Sequence, residues 1–192
     1  MEHKFEKMDN NSAKKYLIEV TRSIKDYPKA GIIFRDLTTI FQDRKGMSAA
    51  LDLLSGFLVD KNGAAIGFDK LVGIEARGFL LAGALSGKIG GGVVMMRKPG
   101  KLPFKKRRIE YKLEYGKDAL EVHEDAISAG ERIIVVDDLL ATGGTSEAAC
   151  KLVEELGGVV VKVLFLVELP DLHGRKKLEG YCVESVISFD GN

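Results

Sequence analysis

The chain has 192 residues, 45% of them hydrophobic and 30% charged, which suits one globular domain with a full buried core. A formal net charge of +1 excludes the protein-wide positive field that nucleic-acid binding needs, so any basic patch must be local. No stretch is long and apolar enough to cross a bilayer, and residues 1–10 alternate in charge without the apolar core of a signal peptide. We therefore expect a cytoplasmic protein of one domain, residues 1–192, with neither membrane nor nucleic-acid partners.

The first quarter of the chain predicts two helices joined by an extended segment. Asn11 and Ser12 can cap the first helix. Its apolar face carries Leu17, Val20 and Ile24. The turn residues of 27–31 end this helix, and the mostly apolar segment 32–36 is extended. A second helix, beginning near Asp43, is expected to bury Met47, Leu51, Leu54 and Leu58.

Later in the chain, four apolar runs have the pattern of strands that are buried on both faces of a parallel sheet. They are residues 70–74, 92–96, 132–136 and 159–167. Helical stretches separate them at 78–88 and 146–156, and the second ends at a Gly-Gly pair that suits a helix C-cap. The alternation predicts an α/β fold with an open, mainly parallel, twisted sheet flanked by helices. The polar and basic segment 99–108 predicts a mobile loop.

Cysteine and histidine indicate neither a disulfide nor a metal site. Cys150 and Cys182 lie far apart without metal-ligand spacing, and both are expected to be inert core thiols. His123 and His173 also lack ligand spacing, so surface or structural roles are expected for them.

The most informative segment, residues 133–146, runs from an apolar strand through two carboxylates and a small-residue turn into a helix. Such a turn offers closely spaced backbone N–H groups, hydroxyl donors and the positive end of the helix, all suited to a phosphate. The residues expected to bind it are Ala141, Thr142, Gly143, Gly144 and Thr145. Asp137 and Asp138, at the carboxyl end of the strand, can accept hydrogen bonds from a ribose diol or face a magnesium ion. The segment is not a Walker loop, because no Lys-Ser/Thr follows the glycines, and it lacks the G-x-G-x-x-G spacing of a dinucleotide fingerprint.

Three further segments carry groups that suit a polyphosphate or proton transfer. Residues 75–77 directly follow a strand, where the guanidinium fork of Arg77 and backbone amides can hold a pyrophosphate. Residues 97–101 form a cationic cluster at another strand end, and residues 113–116 place a carboxylate after the basic loop. Taken alone, the Arg77 segment fits an ordinary strand-to-helix turn better, the cationic cluster fits a solvated basic loop equally well, and the tetrapeptide 113–116 carries little information. The inference therefore depends on their combination.

In this order, the segments resemble the adenine phosphoribosyltransferase family of type I phosphoribosyltransferases. The two acids, followed after three residues by Thr-Gly-Gly-Thr, match that family's motif for phosphoribosyl pyrophosphate (PRPP). Lys-Leu-Pro at 101–103 and Leu-Glu-Tyr-Gly at 113–116 favour the adenine enzymes among purine phosphoribosyltransferases, and residues 26–36 look like their base-binding hood. The resemblance runs from about residue 27 to residue 169 and so covers most of the chain.

This resemblance implies the type I phosphoribosyltransferase fold, with residues 1–40 forming a small N-terminal hood. The implied reaction, in purine salvage, converts adenine and PRPP to AMP and pyrophosphate. Mg²⁺ is the implied cofactor, held mainly by PRPP and water with no assigned protein ligand, and a homodimer is the implied assembly. The resemblance also implies a cis peptide bond near Glu75-Ala76.

Roles for individual residues follow from the same resemblance. The implied catalytic residues are Glu114, which would take up the proton of the adenine imidazole edge, together with Arg77 and Lys98. The implied pyrophosphate-binding residues are Glu75, Ala76, Arg77, Arg97, Lys98 and Lys101. The implied adenine-binding residues are Ile33, Phe34 and Arg35. Asp137 and Asp138 would hold the ribose hydroxyls.

The basic run 105–108 departs from the family pattern, whose flexible loop is usually rich in small, hydroxyl and acidic residues. We expect the loop from 99 to 111 to order over PRPP in a salt-sensitive way, because its four cations repel one another unless an anion is near. Two alternatives stay open. A hypoxanthine, guanine or xanthine phosphoribosyltransferase would differ only in a few hydrogen bonds to the base. A PRPP-responsive regulator that binds nucleic acid on the same fold is favoured only by the basic run.

Overall fold

The structure, a computed structural model, describes residues 8–59, 62–112 and 117–191. In chain order its elements are α1 (Asn10–Val20), β1 (Arg22–Lys25), β2 (Ile33–Asp36), α2 (Thr38–Gln42), α3 (Arg44–Gly56), β3 (Lys70–Ile74), α4 (Arg77–Ile89), β4 (Gly92–Met96), β5 (Lys106–Lys112), β6 (Lys117–His123), β7 (Arg132–Leu140), α5 (Gly144–Glu155), β8 (Val159–Glu168), two 3-10 helices (Pro170–Leu172 and Gly174–Leu178) and β9 (Val183–Ser188). No helix among these residues is long and apolar enough to cross a membrane.

The first helix begins two to three residues earlier than predicted. Asp9 is its cap, since Asp9 Oδ1 accepts from the backbone N–H groups of Asn11 and Ser12 at 2.9 and 3.0 Å. The predicted caps, Asn11 and Ser12, lie inside the helix, so that prediction was wrong. The helix also ends earlier, at Val20, and Ile24 therefore lies exposed in β1 instead of on the helix face. Asp9 was overlooked because the four consecutive residues 9–12 are all good caps and the sequence does not rank them.

The predicted break at 27–31 is the turn of an antiparallel hairpin, in which β1 pairs with β2 from Arg22↔Asp36 to Lys25↔Ile33. Asp26 takes a positive φ of 58°, and its Oδ1 accepts from the backbone N–H of Gly31 at 2.7 Å. The extended segment 32–36 is thus confirmed as β2, in the part of the chain predicted to form the hood.

The second helix, α3, starts where it was predicted. Asp43 Oδ2 accepts from the backbone N–H of Gly46 at 2.7 Å and from Tyr16 Oη, also at 2.7 Å. Leu54 and Leu58 are buried as predicted, whereas Met47 and Leu51 are only half-buried. The buried face of α3 is therefore rotated relative to the predicted one and also includes the small residues Ala49 and Ala50, together with Leu53.

A five-stranded sheet in the order β4-β3-β7-β8-β9, parallel throughout, confirms the predicted fold class. The predicted strands 70–74 and 92–96 match β3 and β4 residue for residue. The third strand continues beyond Val136 to Leu140, and β9 was not predicted. From β3 the chain turns outward to β4, and from β7 it turns the opposite way to β8. The carboxyl ends of β3 and β7 therefore meet at the topological switch point, where open α/β sheets bind ligands.

Helices cover both faces of this sheet. On one face α4 packs Leu81 and Leu85 into a cluster with Ile134 and Val136 of β7. On the other face α5 packs in a cluster that includes Leu152, Val153, Ile133 and Val135. Because successive residues of β7 are buried on opposite faces, the strand is apolar at every position from Ile133 to Val136. Burial raises the pKa of the Cys150 thiol in α5 to about 12, as expected for an inert core thiol, whereas Cys182 is exposed, contrary to prediction.

Most of the basic run 105–108 lies in a strand and not in a loop. Residues from Lys106 onward form β5, which pairs antiparallel with β6, so the predicted loop is shortened at its C-terminal end. Carboxylates of the same hairpin partner the cations: Lys106 with Glu121 at 2.8 Å, Arg107 with Glu124 at 3.5 Å, and Arg108 with Glu110 at 3.2 Å. The repulsion that motivated a mobile loop is thus relieved inside the chain. Sequence reasoning missed this because Glu121 and Glu124 lie 15 and 17 positions downstream of their cations.

We expect Lys106→Met to destabilise the protein by about 2 kcal/mol, because it leaves the Glu121 carboxylate buried without its cation. Arg108→Met is the matched control on the same strand. It breaks a pair whose side chains are both more than half exposed, and it should cost less than about 0.5 kcal/mol. Urea unfolding of the three proteins gives both values, and equal stabilities would contradict the buried pairing.

Candidate active site

The small-residue turn lies between β7 and α5, as predicted. Gly143 has a φ of 77°, and α5 begins at the next residue, so the backbone of the turn leads directly into the helix N-terminus. A small cavity of about 80 Å³ opens at this point. Its lining residues are Asp137, Leu139, Ala141, Thr142, Gly143, Gly144, Thr145 and Ser146. All five residues predicted to bind a phosphate thus line one concavity at a helix N-terminus, an anion-binding arrangement.

A second glycine backs this turn and was not predicted. A Cβ placed on Gly174 would lie 2.3 Å from Ala141 O and 3.1 Å from Gly143 N. A Cβ placed on Gly143 would lie 2.4 Å from Gly174 O. The two backbones are therefore in direct contact, and neither position has room for a side chain. No sequence signal could have found Gly174, because the contact joins residues about 30 positions apart outside any motif.

The two predicted ribose carboxylates sit beside the turn. Asp138 is 4% exposed and forms an ion pair with Arg77, and its backbone N–H donates to Asp137 Oδ1 at 2.9 Å. Burial raises the pKa of Asp137, and the neighbouring Asp138 carboxylate raises it further. Burial also raises the pKa of Asp138, although the Arg77 guanidinium opposes that rise. The pair is a buried concentration of negative charge with a single cationic partner, which suits hydroxyl donors and a developing positive charge.

The Glu75–Ala76 peptide bond is cis, which confirms the prediction, and α4 begins at the following residue, Arg77. The Glu75 carboxylate accepts from the backbone N–H of Lys98 at 2.8 Å and from Arg97 Nε at 3.3 Å. Burial alone would raise the Glu75 pKa, but these donors outweigh it and the pKa is lowered. Glu75 thus links the carboxyl end of β3 to that of β4, and its carboxylate is occupied by Arg97 and Lys98.

Lys98 is held by the hairpin. Its Nζ donates to Tyr111 Oη at 2.6 Å and forms an ion pair with Asp118, one residue from each strand of the β5–β6 hairpin. Burial disfavours its charge, but the hydrogen bonds to Asp118 and Tyr111 outweigh burial, so its pKa is raised. Lys98 is therefore a firmly protonated cation at the edge of the cleft. Asp118 and Tyr111 were missed because they bind Lys98 only after the hairpin forms.

The predicted pyrophosphate and ribose residues share one cavity of about 400 Å³ at the carboxyl ends of β3 and β7. Its lining residues are Glu75, Ala76, Arg77, Lys98, Asp137, Asp138, Leu139 and Thr145. Arg97 is turned towards Glu75, and Lys101 is exposed, and neither lines this cavity. Among the described residues, no group of three or more His, Cys, Asp or Glu could hold a metal ion.

An apolar cavity of about 310 Å³ lies between the β1–β2 hairpin and the segment after β8. Its lining residues are Gly31, Ile32, Ile33, Phe34, Arg35, Leu139, Leu169 and Leu172. The predicted adenine residues are all present, and Leu169 and Leu172 are additions that sequence reasoning missed. The Arg35 guanidinium donates to Ser23 Oγ at 2.7 Å and stacks over the Phe189 ring at 4.4 Å. Leu139 lines all three cavities, so they adjoin at this residue.

Glu114, the predicted proton acceptor, lies outside the described residues. The nearest described elements in sequence are β5, which ends at Lys112, and β6, which begins at Lys117.

Comparison with known proteins identifies the family. The phosphoribosyl transferase domain matches residues 39–190. An adenine phosphoribosyltransferase of Cereibacter sphaeroides is 50% identical over 187 residues, which cover 96% of this chain and 99% of the relative. One from Chlorobium chlorochromatii is 51% identical over 173 residues, covering 89% of this chain and 96% of the relative. The chain belongs to the adenine phosphoribosyltransferase family.

Solved structures of this phosphoribosyltransferase family share the fold. The enzyme from Thermoanaerobacter pseudethanolicus superposes with a TM-score of 0.86 at 46% identity, covering 92% of this chain and 99% of the other. The Saccharomyces cerevisiae adenine phosphoribosyltransferase, solved in complex with an imino-altritol bisphosphate and adenine, has a TM-score of 0.86 at 35% identity, over 92% of this chain and 99% of that one. The chain therefore has the fold of type I phosphoribosyltransferases, as predicted.

Proposed function

We propose that this protein transfers the ribosyl phosphate of PRPP to adenine and releases AMP and pyrophosphate, as an enzyme of purine salvage. The observation that carries the proposal is the junction of three cavities at Leu139. A phosphate turn, an acidic and cationic cleft and an apolar pocket adjoin there. The two substrates have one group for each cavity: the 5-phosphate of PRPP for the turn, its ribose and pyrophosphate for the cleft, and the adenine ring for the apolar pocket. Relatives about 50% identical carry the name adenine phosphoribosyltransferase.

The proposed roles follow the chemistry of each cavity. The backbone N–H groups of 141–145 bind the ribose 5-phosphate, and Asp137 and Asp138 accept from the ribose hydroxyls. When the bond from C1 to pyrophosphate breaks, positive charge develops on the ribose, and the acidic pair stabilises it. Arg77 and Lys98 neutralise the departing pyrophosphate. Glu75 and Ala76 line the same cavity, and Glu75 holds Arg97 and Lys98 in place. Arg97 and Lys101, which do not line this cavity, are the remaining residues assigned to the pyrophosphate.

Base binding falls to the apolar pocket. Phe34 stacks on the purine, and the backbone groups of Ile33 and Arg35 read its exocyclic amine and ring nitrogen. N9 of the base bonds to C1 of the ribose, and the proton of the imidazole edge passes to Glu114. The pocket is apolar around a few main-chain groups, as base-binding sites commonly are.

Mg²⁺ fits this site as a companion of PRPP. Asp137 and Asp138 are hard oxygen donors of the kind Mg²⁺ prefers, but two carboxylates, one of them paired with Arg77, do not make a protein cage. We therefore assign the ion mainly to PRPP oxygens and water. Bound there, it would neutralise pyrophosphate charge as the bond to C1 breaks.

A cytoplasmic homodimer is part of the proposal, as is a single domain of residues 1–192 with a base-binding hood in 1–40. Cys150 and Cys182 are both free thiols, which suits a reducing compartment. Val93 and Met95 on the edge strand β4 are 42% and 51% exposed, and apolar side chains on a sheet edge suit burial by a second copy. Sedimentation velocity would report the assembly.

The test of function is a parallel assay of adenine, hypoxanthine, guanine and xanthine with PRPP and magnesium. We expect AMP from adenine and little nucleotide from the others. A higher kcat/KM for guanine or hypoxanthine would transfer the proposal to the other purine enzymes. Ion pairs with nearby carboxylates involve Lys106, Arg107 and Arg108, three of the four cations that favoured the nucleic-acid alternative, which weakens that alternative.

Glu114→Gln should lower kcat about 100-fold and change the KM for PRPP less than about threefold, because its proposed contact is with the base. Glu110→Gln is the control, since Glu110 lies on β5 close in sequence and its side chain is 58% exposed. Steady-state kinetics of both variants between pH 6 and 9 provide the measurement. Unchanged turnover in Glu114→Gln across this range would remove Glu114 from the mechanism.

A further inference from the structure

An ion pair with one buried partner lies behind the phosphate turn, outside the substrate cavities: Glu168 is buried, and Arg175 is about half exposed. Glu168 is the last residue of β8, and its side chain is only 10% exposed. The Arg175 guanidinium donates two parallel hydrogen bonds to the Glu168 carboxylate, from Nε to Oε1 and from Nη2 to Oε2, both 2.7 Å long. Ser185 Oγ donates to the same carboxylate at 2.7 Å, and Arg175 Nη1 donates to the carbonyl oxygen of Val183 at 2.9 Å. Arg175 is thus fixed to two strands at once.

This ion pair fixes the segment that touches the phosphate turn. Arg175 directly follows Gly174, whose backbone lies against Ala141 O and Gly143 N. The same segment begins at Leu169, whose backbone N–H donates to Leu140 O at 2.9 Å, and ends at the buried Leu178. Between Leu169 and Leu178, the ion pair of Arg175 with Glu168 is the side-chain attachment nearest to Gly174 in sequence. A bidentate pair sets direction as well as distance, because the guanidinium plane must align with the carboxylate.

We propose that Arg175 and Glu168 are positioning residues for the 5-phosphate turn, pressing Gly174 against Ala141 and Gly143 so that the turn keeps its phosphate-binding shape. The inference rests on the proposed function, since it concerns the same phosphate turn. Leu169 and Leu172 of this segment also line the base pocket, but the backbone atoms nearest to the Cβ position of Gly174 belong to the phosphate turn. The ion pair should therefore affect ligands that carry a 5-phosphate most strongly.

The pair keeps its charge over the working pH range. Burial disfavours the Glu168 carboxylate, but the hydrogen bonds from Arg175 and Ser185 outweigh it and lower its pKa. The hydrogen bond to Glu168 raises the pKa of Arg175. Its contribution should therefore be constant between pH 6 and 9, which separates it from groups that titrate in the cleft.

The variants are Arg175→Met, which removes the pair, and Arg175→Lys, which keeps the charge without the fork. Lys177→Met is the matched control, because it removes one exposed cation from the same 3-10 helix. Gly174→Ala leaves both side chains of the ion pair in place and acts at the contact itself, where the new Cβ meets Ala141 O and the Leu140 side chain, so it supplies a measurement if Arg175→Met does not fold. The readouts are kcat, the KM for PRPP, and the calorimetric Kd for AMP and for ribose 5-phosphate.

For Arg175→Met and Gly174→Ala we expect the KM for PRPP and the Kd for both phosphate ligands to rise about tenfold or more, and kcat to fall much less. Arg175→Lys should lie between these variants and wild type, and Lys177→Met should match wild type. A lower melting temperature in Arg175→Met with unchanged KM and Kd would show a purely structural pair and overturn the inference. A wild-type protein that binds AMP but does not convert adenine and PRPP would instead defeat the proposed function, while the AMP measurements would still test the positioning role.

Discussion

Replacing Asp137 with asparagine should raise the thermal stability of the ligand-free protein at neutral pH while it lowers kcat/KM about 100- to 1,000-fold. Burial and the adjacent Asp138 carboxylate raise the pKa of Asp137, so its charge opposes folding. Asparagine is nearly isosteric, and its Oδ1 can still accept from the backbone N–H of Asp138, which lies 2.9 Å from that oxygen. The activity falls because the ribose loses an anionic partner as positive charge develops on it.

The pH dependence follows from the direction of the shift. A carboxyl group with a raised pKa in the folded state binds its proton more tightly there than in the unfolded chain. Stability therefore falls as pH rises from the unfolded pKa, about 4, through the folded value. The stabilisation of Asp137→Asn should vanish near pH 4 and grow towards neutrality. Each kcal/mol of relief corresponds to about 2–4 °C in melting temperature for a chain of this size.

Asp138→Asn is the informative comparison. Its carboxylate is the partner of Arg77, so removing that charge leaves a guanidinium without its anion and offsets the relief of repulsion. We expect Asp138→Asn to lose activity without the same gain in stability. Differential scanning calorimetry of the three proteins between pH 4 and 8, with kinetics at neutral pH, would decide. A melting temperature for Asp137→Asn equal to or below that of wild type at every pH would contradict the assignment.

The central strands and the phosphate turn could be predicted because their signals are local. Strands β3 and β4 are apolar runs bounded by turn residues, and their limits were predicted correctly. The turn at 141–145 combines small residues, hydroxyls and a helix start within one short stretch. The prediction of β7 stopped at Val136, because two carboxylates look like the end of a strand. They remain in the ladder, where Asp137 pairs with Phe165 of β8.

The parts that were missed depend on residues that are distant in sequence. Lys106 was assigned to a solvated loop because its partner, Glu121, lies on the returning strand of the hairpin. Leu172 contributes to the base pocket only because the chain folds back over the sheet after β8. The side chains predicted to bind ligands came from motifs, and most of them line the three cavities. The residues that hold the site, Asp118 beside Lys98 and Gly174 beside the phosphate turn, carry no local pattern that distinguishes them from an ordinary acid or glycine.

Substituting Gly143 with alanine should abolish the phosphate site and destabilise the fold by about 2–5 kcal/mol, which combines two separate penalties. The first is the backbone, because a φ of 77° disfavours any residue that carries a Cβ. The second is space, because the new Cβ would lie 2.4 Å from Gly174 O, and two backbones would have to separate. Since the turn itself must move, kcat/KM for PRPP should fall more than about 100-fold.

Gly130→Ala separates these two penalties. Gly130 has nearly the same φ, 82°, but no atom lies within 4 Å of its Cβ position, so that substitution carries only the backbone penalty. We expect Gly130→Ala to cost about 1–2 kcal/mol in urea unfolding and to leave kcat/KM near the wild-type value. The difference between the two variants then isolates the contact between the phosphate turn and Gly174. If Gly143→Ala were no worse than Gly130→Ala in stability and in kcat/KM, the turn would not be held by that contact.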